Sequence, residues 1–592
     1  MKQLIYRWRG SALGLSLACM LVGCSMADDV ECPPEGGGTG GAGRAYVQLS
    51  FGFAGAEGTR ANPDGGEGGD GQEAGQTDEN YVGDAVAFFF SGNVTVNGDG
   101  STLVTPVYFS SVSGPESGTV GSGVDAVWTT DPVQTTLDNG DYNVIVVANP
   151  GTNWWSQNPR LTLGEVRDHI QTAAWTETDG RYTNFLMAQA DEAANILQLR
   201  DNPQNNPATV TVNVERMAAR VDYLPEGAFT CTDPRYEGAT VEITGATILN
   251  RLTAGSYLLK RVADKVDSDS PEYLGLETAT GADMQATNYV LDPWTKLKTQ
   301  ENLDGTPFTV DGENVKASAL YDPQTYIPTR SDNPEDWAGY CKPGVDATED
   351  NYLRVGYALE NTTDRLSTSL NYNTGIVFKA QFHPVGVNGY NDGETFFTYN
   401  GTIYPMLTDM MGQLNNQPDF SKYADNAIGA LDSWDGLKDF AANFVNDPTG
   451  YTGYLTQYAK DHAGETFNPA TEELTWTYYL NHKLGVIEDA QDGPQINQNG
   501  AKTRAKLYET SGKLLRTYYK GQCYYVWWLR HSNNGDDETN GVMEYAVVRN
   551  NIYKVSVNSI YSLGGDIPDN EQLDARVYVN KWSMLPDEVL PM

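Results

Sequence analysis

Cys24 is the residue whose setting most directly prescribes a reaction. It ends Leu21-Val22-Gly23-Cys24, behind an apolar run over residues 12–22 and a basic start carrying Lys2, Arg7 and Arg9. Small residues before the cysteine let a signal peptidase approach the bond, and the freed Cys24 thiol then takes a diacylglycerol. The run is too short to span a bilayer. These features predict a lipoprotein signal over residues 1–23 and lipidation at Cys24. Cys19 leaves with the signal, and Cys32, Cys231, Cys341 and Cys523 stand far apart with no CxxC. A disulfide framework and a zinc site are therefore unsupported, while one disulfide stays open.

The remaining reactive types form no catalytic constellation. The five histidines, His169, His383, His462, His482 and His531, give no HExxH and no pair at i, i+3 or i, i+4, so a zinc-hydrolase site has no basis. Neither a GxSxG elbow nor a GxxxxGK[ST] loop occurs. Gly36, Gly38 and Gly41 fit GxGxxG but follow no strand and open no helix. Residues 532–540 cluster oxygen ligands without EF-hand spacing and read as a solvated loop. Trp154-Trp155 and Trp527-Trp528 could stack on sugars. Adjacent strand residues face opposite ways, which favours core packing. No catalytic residue, metal or cofactor is expected.

The elements around these residues are mostly strands. The chain has 592 residues with 61 Gly and 28 Pro, which favours turn-rich β architecture. A net charge of −39 works against phosphate backbones and excludes nucleic acid as a partner. With 40% hydrophobic and only 20% charged residues there is ample material for packed cores. Val47, Leu49, Phe51 and Phe53 alternate with Tyr46, Gln48, Ser50 and Gly52, which predicts a half-buried strand. Behind it come Arg60 and residues 61–80, with six acids and no base, a tract expected to form a loop or tail. Ahead of it, residues 33–43 read as a spacer.

Residues 85–90 predict an apolar strand, and residues 142–148, apolar on both faces, predict a central one. Asn97-Gly98 and Asn139-Gly140 are hairpin signals, and Thr162 with Glu165 predicts a capped helix to about residue 174. The alternation of Val210, Val212 and Val214 changes phase to Met217, Ala219, Val221 and Tyr223, which predicts a bulge near Glu215-Arg216. Two helices are expected over residues 430–444 and 451–462. The fold expected is mainly β: two β-sandwich-like (transthyretin-like) domains, over residues 61–225 and 226–572, with a few short helices in the second. Ala575, Val577 and Val579 alternate in a final segment, residues 573–592, where Pro586 weakens any ladder.

Together the residues carry a family likeness. The lipobox, the first strand, the Arg60-Ala61 junction, Val214-Glu215-Arg216, Ala219-Arg220-Val221, the run Trp528-Leu-Arg-His-Ser-Asn-Asn-Gly-Asp-Asp537, and Met543 to Val557 resemble a fimbrillin of the Bacteroidales type V pili. Within that family the likeness is to the shaft subunit of short (minor) fimbriae of Porphyromonas-type bacteria. It is strongest at both ends and weaker between about 265 and 500.

The resemblance implies export as an outer-membrane lipoprotein, then a cut by an Arg-specific protease in the loop behind the first strand. Mapped here, that cut falls between Arg60 and Ala61. The propeptide, residues 24–60, then leaves with the removable strand (Val47, Leu49, Phe51, Phe53), and a neighbour's C-terminal strand fills the groove. Arg44-Ala45 is the rival site, but a cut there leaves the strand in place. Losing the strand uncovers four large apolar side chains, worth roughly 1.5–3 kcal/mol each when fully buried. It also frees a sheet edge, a template for strand addition.

Val577, Val579, Trp582, Met584, Leu585, Val589 and Leu590 are the candidate donor residues. The partners implied are further copies of the chain in a homopolymer, accessory anchor and tip subunits, the protease and an unidentified surface receptor. Two alternatives stand beside the shaft reading. One is a tip or accessory adhesin, and the other is a glycan-binding surface lipoprotein using Trp154, Trp155 or Trp527.

Overall fold

The computed structural model of the chain describes residues 45–53, 72–114, 128–190, 196–263, 272–273, 289–298, 308–310, 313–315, 319–326, 334–346, 351–363, 372–399, 401–405, 516–531, 543–568 and 573–583. In chain order the main strands begin with β1 (Tyr46–Phe53), β2 (Gln72–Ala74), β3 (Ala85–Ser91), β4 (Thr105–Phe109), β5 (Trp128–Thr130), β6 (Val133–Gln134), β7 (Gly140–Ala148) and β8 (Met187–Gln189). They continue with β9 (Ala208–Arg216), β10 (Ala218–Leu224), β11 (Thr240–Leu249), β12 (Leu353–Leu359), β13 (Gly375–His383), β14 (Gln522–Trp528), β15 (Asn551–Ile560) and β16 (Leu573–Ser583). The fold is mainly β, with curled sheets and only short helices.

The first sheet runs β4-β3-β7-β8-β9-β1-β5, with β6 also pairing β1. Its central strands are apolar on both faces. Along β3, Ala85, Ala87 and Phe89 enter one core while Val86, Phe88 and Phe90 enter another. Along β7, Val144 and Val146 face the first core, and Ile145 and Val147 the second. The first core also takes Val107 and Phe109 from β4 and Trp128 from β5, so the sheet curls around it. Trp155, Leu161, Leu163 and Val166 cover the outer core.

A second sheet runs β2-β16-β15-β10-β12, and a third runs β11-β13-β14. The two pack face to face as a sandwich. Ala219, Val221 and Tyr223 of β10 and Tyr553, Val555 and Val557 of β15 meet Val241, Ile243, Phe378, Phe382, Cys523 and Tyr525. The register of β11 against β13 shifts at Gly245, where a Cβ would lie 2.8 Å from the Lys342 carbonyl carbon. Only glycine fits that approach.

Several local expectations are corrected. The phase change after Val214 is not a bulge: β9 ends at Arg216 in the first sheet, and β10 starts at Ala218 in the second. Buried Met217 makes the crossing, so the apolar face changes because the core it serves changes. The helix capped by Thr162 and Glu165 spans only Leu163–Arg167. Asn97-Gly98 sits in a longer β3–β4 connection, and the strand before Asn139-Gly140, β6, pairs β1 rather than β7. Two short helices, Thr77–Asn80 (α1) and Leu163–Arg167 (α2), lie in the first part of the chain, where none was placed beyond the capped one. The helices expected over 430–444 and 451–462 lie outside the described residues.

Candidate functional site

β1 occupies the interior of the first sheet. Its Val47–Phe53 backbone pairs parallel with Ala208–Val214 of β9, while Tyr46, Val47, Ser50 and Phe51 pair antiparallel with β6 and β5. Ala45, Val47 and Leu49 are fully buried in the first core. Polar contacts fix the register: the Leu49 N–H donates to Thr130 Oγ1 at 3.0 Å, and Gln48 Nε2 donates to the Thr130 carbonyl at 2.8 Å. Phe51 and Phe53 continue the strand opposite Val212 and Val214. Removing β1 would separate β9 from β5 and β6 and expose a two-sided slot, each side lined with unpaired backbone groups.

The C-terminal strand β16 has a different setting. Nine residue pairs, from Asn551–Lys581 to Ile560–Leu573, join it antiparallel to β15. Val577 lies opposite Val555 and Val579 opposite Tyr553. Along the other side β2 pairs parallel, with Gln72 opposite Lys581, Glu73 opposite Trp582 and Ala74 opposite Ser583. The candidate donor residues are thus engaged within their own subunit: Val577 and Val579 pair with β15, and Trp582 pairs with β2. Met584, Leu585, Val589 and Leu590 lie outside the described residues, as do Cys24, Arg60 and Ala61.

The outer face of the second sheet was missed by sequence reasoning. In β10 the odd positions are apolar, while Arg220 and Asp222 point the other way and are fully buried. Arg220 Nη1 donates to Glu79 Oε2 at 3.1 Å, Nη2 to Glu73 Oε1, and Nε to both Asp222 oxygens at 3.1 Å. Lys554 Nζ, from β15, reaches Glu73 Oε2 at 2.9 Å. Arg354 of β12 lies 3.5 Å from Glu79 Oε1, to which the Tyr357 hydroxyl also donates. Arg216 Nε donates to the Glu79 carbonyl at 3.0 Å.

Glu79 is only 1% exposed. Burial opposes its charge, but Arg220, Tyr357 and the Gln76 N–H outweigh that and hold its pKa below the ordinary value. Tyr357 is pushed far up by burial and by the adjoining Glu79. The tract over 61–80, expected as loop or tail, therefore supplies a strand and a helix turn at its end, because buried cations neutralise its acids. Arg220-x-Asp222, charged on one phase of an otherwise apolar strand, was the legible signal.

The other singled-out residues are structural. Trp155 is buried and Trp154 half-buried; Trp154 stacks on His169 at 3.8 Å between centroids. They lie on a 3-10 turn rather than a strand. Trp527 and Trp528 do sit on a strand, and they pack against different cores. Burial lowers His169 and His531 to about 4, so both are neutral at physiological pH. Among the described residues Cys231, Cys341 and Cys523 are buried thiols outside any disulfide, and no group of His, Cys, Asp or Glu gathers to hold a metal.

Comparison with known proteins bears on the same C-terminal region. Residues 516–587, spanning β14 to β16, match the family described as "Major fimbrial subunit protein type IV, Fimbrillin, C-terminal". No curated protein matches the sequence. Among solved structures, a fimbrilin (fimA) from Porphyromonas gingivalis W83 aligns at 13% identity and TM-score 0.28, over 91% of this chain and 99% of that one. The tip fimbrial protein Mfa3 from Porphyromonas gingivalis, with C-terminal truncation, aligns at 10% identity and TM-score 0.28, over 91% and 99%. Overlap this low leaves the fold to be argued from the chain's own strands.

Proposed function

We propose that this chain, whose residues 516–587 match the fimbrillin C-terminal family, is a structural shaft subunit of an adhesive surface fimbria, polymerising by protease-triggered strand exchange. Before assembly it is a lipoprotein, held to the outer membrane through Cys24. A cut between Arg60 and Ala61 frees residues 24–60 with β1, and a strand from a neighbouring copy takes the vacated slot. Anchor and tip subunits cap the two ends of such a fibre. No residue in this scheme performs catalysis.

The observation that carries the reading is the place of β1. An eight-residue strand sits between β9 on one side and β5 and β6 on the other, and it alone joins them in one sheet. The parallel pairing of Val47 with Ala208 cannot be made by a hairpin and needs a long crossover of the chain. A replacement strand that runs parallel to β9, with apolar residues at alternate positions, would restore both the core and the backbone pairing. The glycan-binding alternative finds no support in Trp154, Trp155 or Trp527, which pack into cores.

N-terminal sequencing of protein sheared from cells, with its size under non-denaturing conditions, tests the scheme. A start at Ala61 in a high-mass ladder is expected, together with uncut, lipid-tethered monomers from Arg60→Ala. Normal fibres from that variant would sink it.

A further inference from the structure

We infer that residues 72–80 are a latch: they hold the C-terminal strand β16 in its own sheet, so that while the latch is closed β16 is not offered to a neighbour. This rests on the strand-exchange reading and adds to it a control over which segment is offered.

Three observations converge on the latch. First, β2 is the sole cover on the open side of β16 among the described strands, and it is three residues long. Backbone pairing over three residues does not hold an edge by itself. Second, side chains on either side of that short pairing anchor it deep in the sheet. Glu73, opposite Trp582, reaches Arg220 on β10 and Lys554 on β15. Glu79 reaches Arg220 and, on β12, Arg354 and Tyr357. The latch therefore grips three strands beneath and beside the one it covers.

Third, the latch supplies most of the acids paired with the cations on this face among the described residues. Arg216, Arg220, Arg354 and Lys554 are opposed by Glu73, Glu79 and Asp222, and two of those three acids belong to the latch. Arg220 and Lys554 are nearly inaccessible to water. Taking the latch away leaves buried positive charge facing itself, which strongly disfavours opening. α1 adds geometry: the Gln76 N–H donates to Glu79 Oε2 at 2.7 Å, and Asn80 Nδ2 donates to the Gly75 carbonyl at 2.8 Å. The turn thus presents both acids toward the sheet. From Asn80 the chain runs on into β3 of the first sheet, so one short segment joins the strand-acceptor sheet to the C-terminal strand.

Amide hydrogen exchange resolved by peptide, on the uncut, monomeric full chain, is the test. Wild-type β16 should exchange about as slowly as β15. Glu73→Gln keeps the size of the side chain and leaves Arg220 its bonds to Asp222 and Glu79. It should speed exchange over residues 573–583 about tenfold, with β1 and β9 unchanged. Lys554→Gln, which cuts one of the two Glu73 contacts, should give a smaller rise in the same peptides.

Asp78→Asn, which removes only the exposed pair with Arg181, should change nothing there. Unchanged exchange over 573–583 in both Glu73→Gln and Lys554→Gln would overturn the latch. So would a rise spread equally over every sheet, which would mean general loosening. Because no fibre is needed, the latch can fail while strand exchange stands. Fibres failing to form with β16 protected would point the other way.

Discussion

The two terminal strands of the described chain, β1 and β16, differ in their flanks, since β2 covers β16 only over Lys581–Ser583, and they are held by different physics. β1 is gripped by burial: Ala45, Val47 and Leu49 insert into an apolar core, and its polar contacts are few. β16 is gripped by charge at one remove, through a short strand whose acids pair with cations in the sheet. Burial is non-directional and is restored by any strand with the right alternation. A buried ionic network is satisfied only by the groups that fit it. Under the proposed exchange, the first arrangement suits a strand that is replaced and the second a strand that stays.

The largest effect that would break this contrast lies in the ionic network. Arg220→Ala leaves Glu79 and Asp222 buried without their principal partner and should cost about 3–5 kcal/mol of stability. The loss should be the same with β1 present or removed, as measured by denaturant unfolding of the uncut and the trimmed chain. Next comes Leu49→Ala, expected to cost about 2–5 kcal/mol in the uncut chain and nothing once β1 has left. Equal effects of Leu49→Ala in both forms would mean that the strand does not leave.

A smaller effect comes from acid. The pKa of Glu79 is held below its ordinary value of 4.5 in the fold, so its contribution is fully present above that value. It is lost as pH falls through the depressed one. The groups facing it are Arg216, Arg220, Arg354, Tyr357, Glu73 and Asp222. Thermal midpoints should therefore drop in acid more steeply for wild type than for Glu79→Gln. Parallel curves would show that the carboxylate is not ionised in the network.

What was legible in the sequence follows the same division. Period-two alternation gave β1, and apolar runs gave β3 and β7, because burial leaves a pattern along neighbouring residues. The C-terminal block from Trp528 to Val557 carried the family likeness that the match over 516–587 bears out at the level of the family. The ionic face left little pattern, because its members come from β2, α1, β10, β12 and β15. Glu73 and Glu79 looked like the tail end of an acidic tract, since their partners lie far away along the chain. The change of phase at Met217 was visible, but sequence alone cannot tell a bulge from a strand that moves to another sheet.

The pairing of Glu73 with Lys554 spans 481 positions. Contacts that long are slow to form, because the loop must close before anything rewards it. The second sheet is therefore among the last parts of the chain to complete. Until residues 551–583 have emerged and docked, the edge of β10 that pairs with β15 awaits a strand that does not yet exist. A nascent chain passes through a period in which this sheet is open to passing strands. The order in which the ends become available sets how long that vulnerable interval lasts.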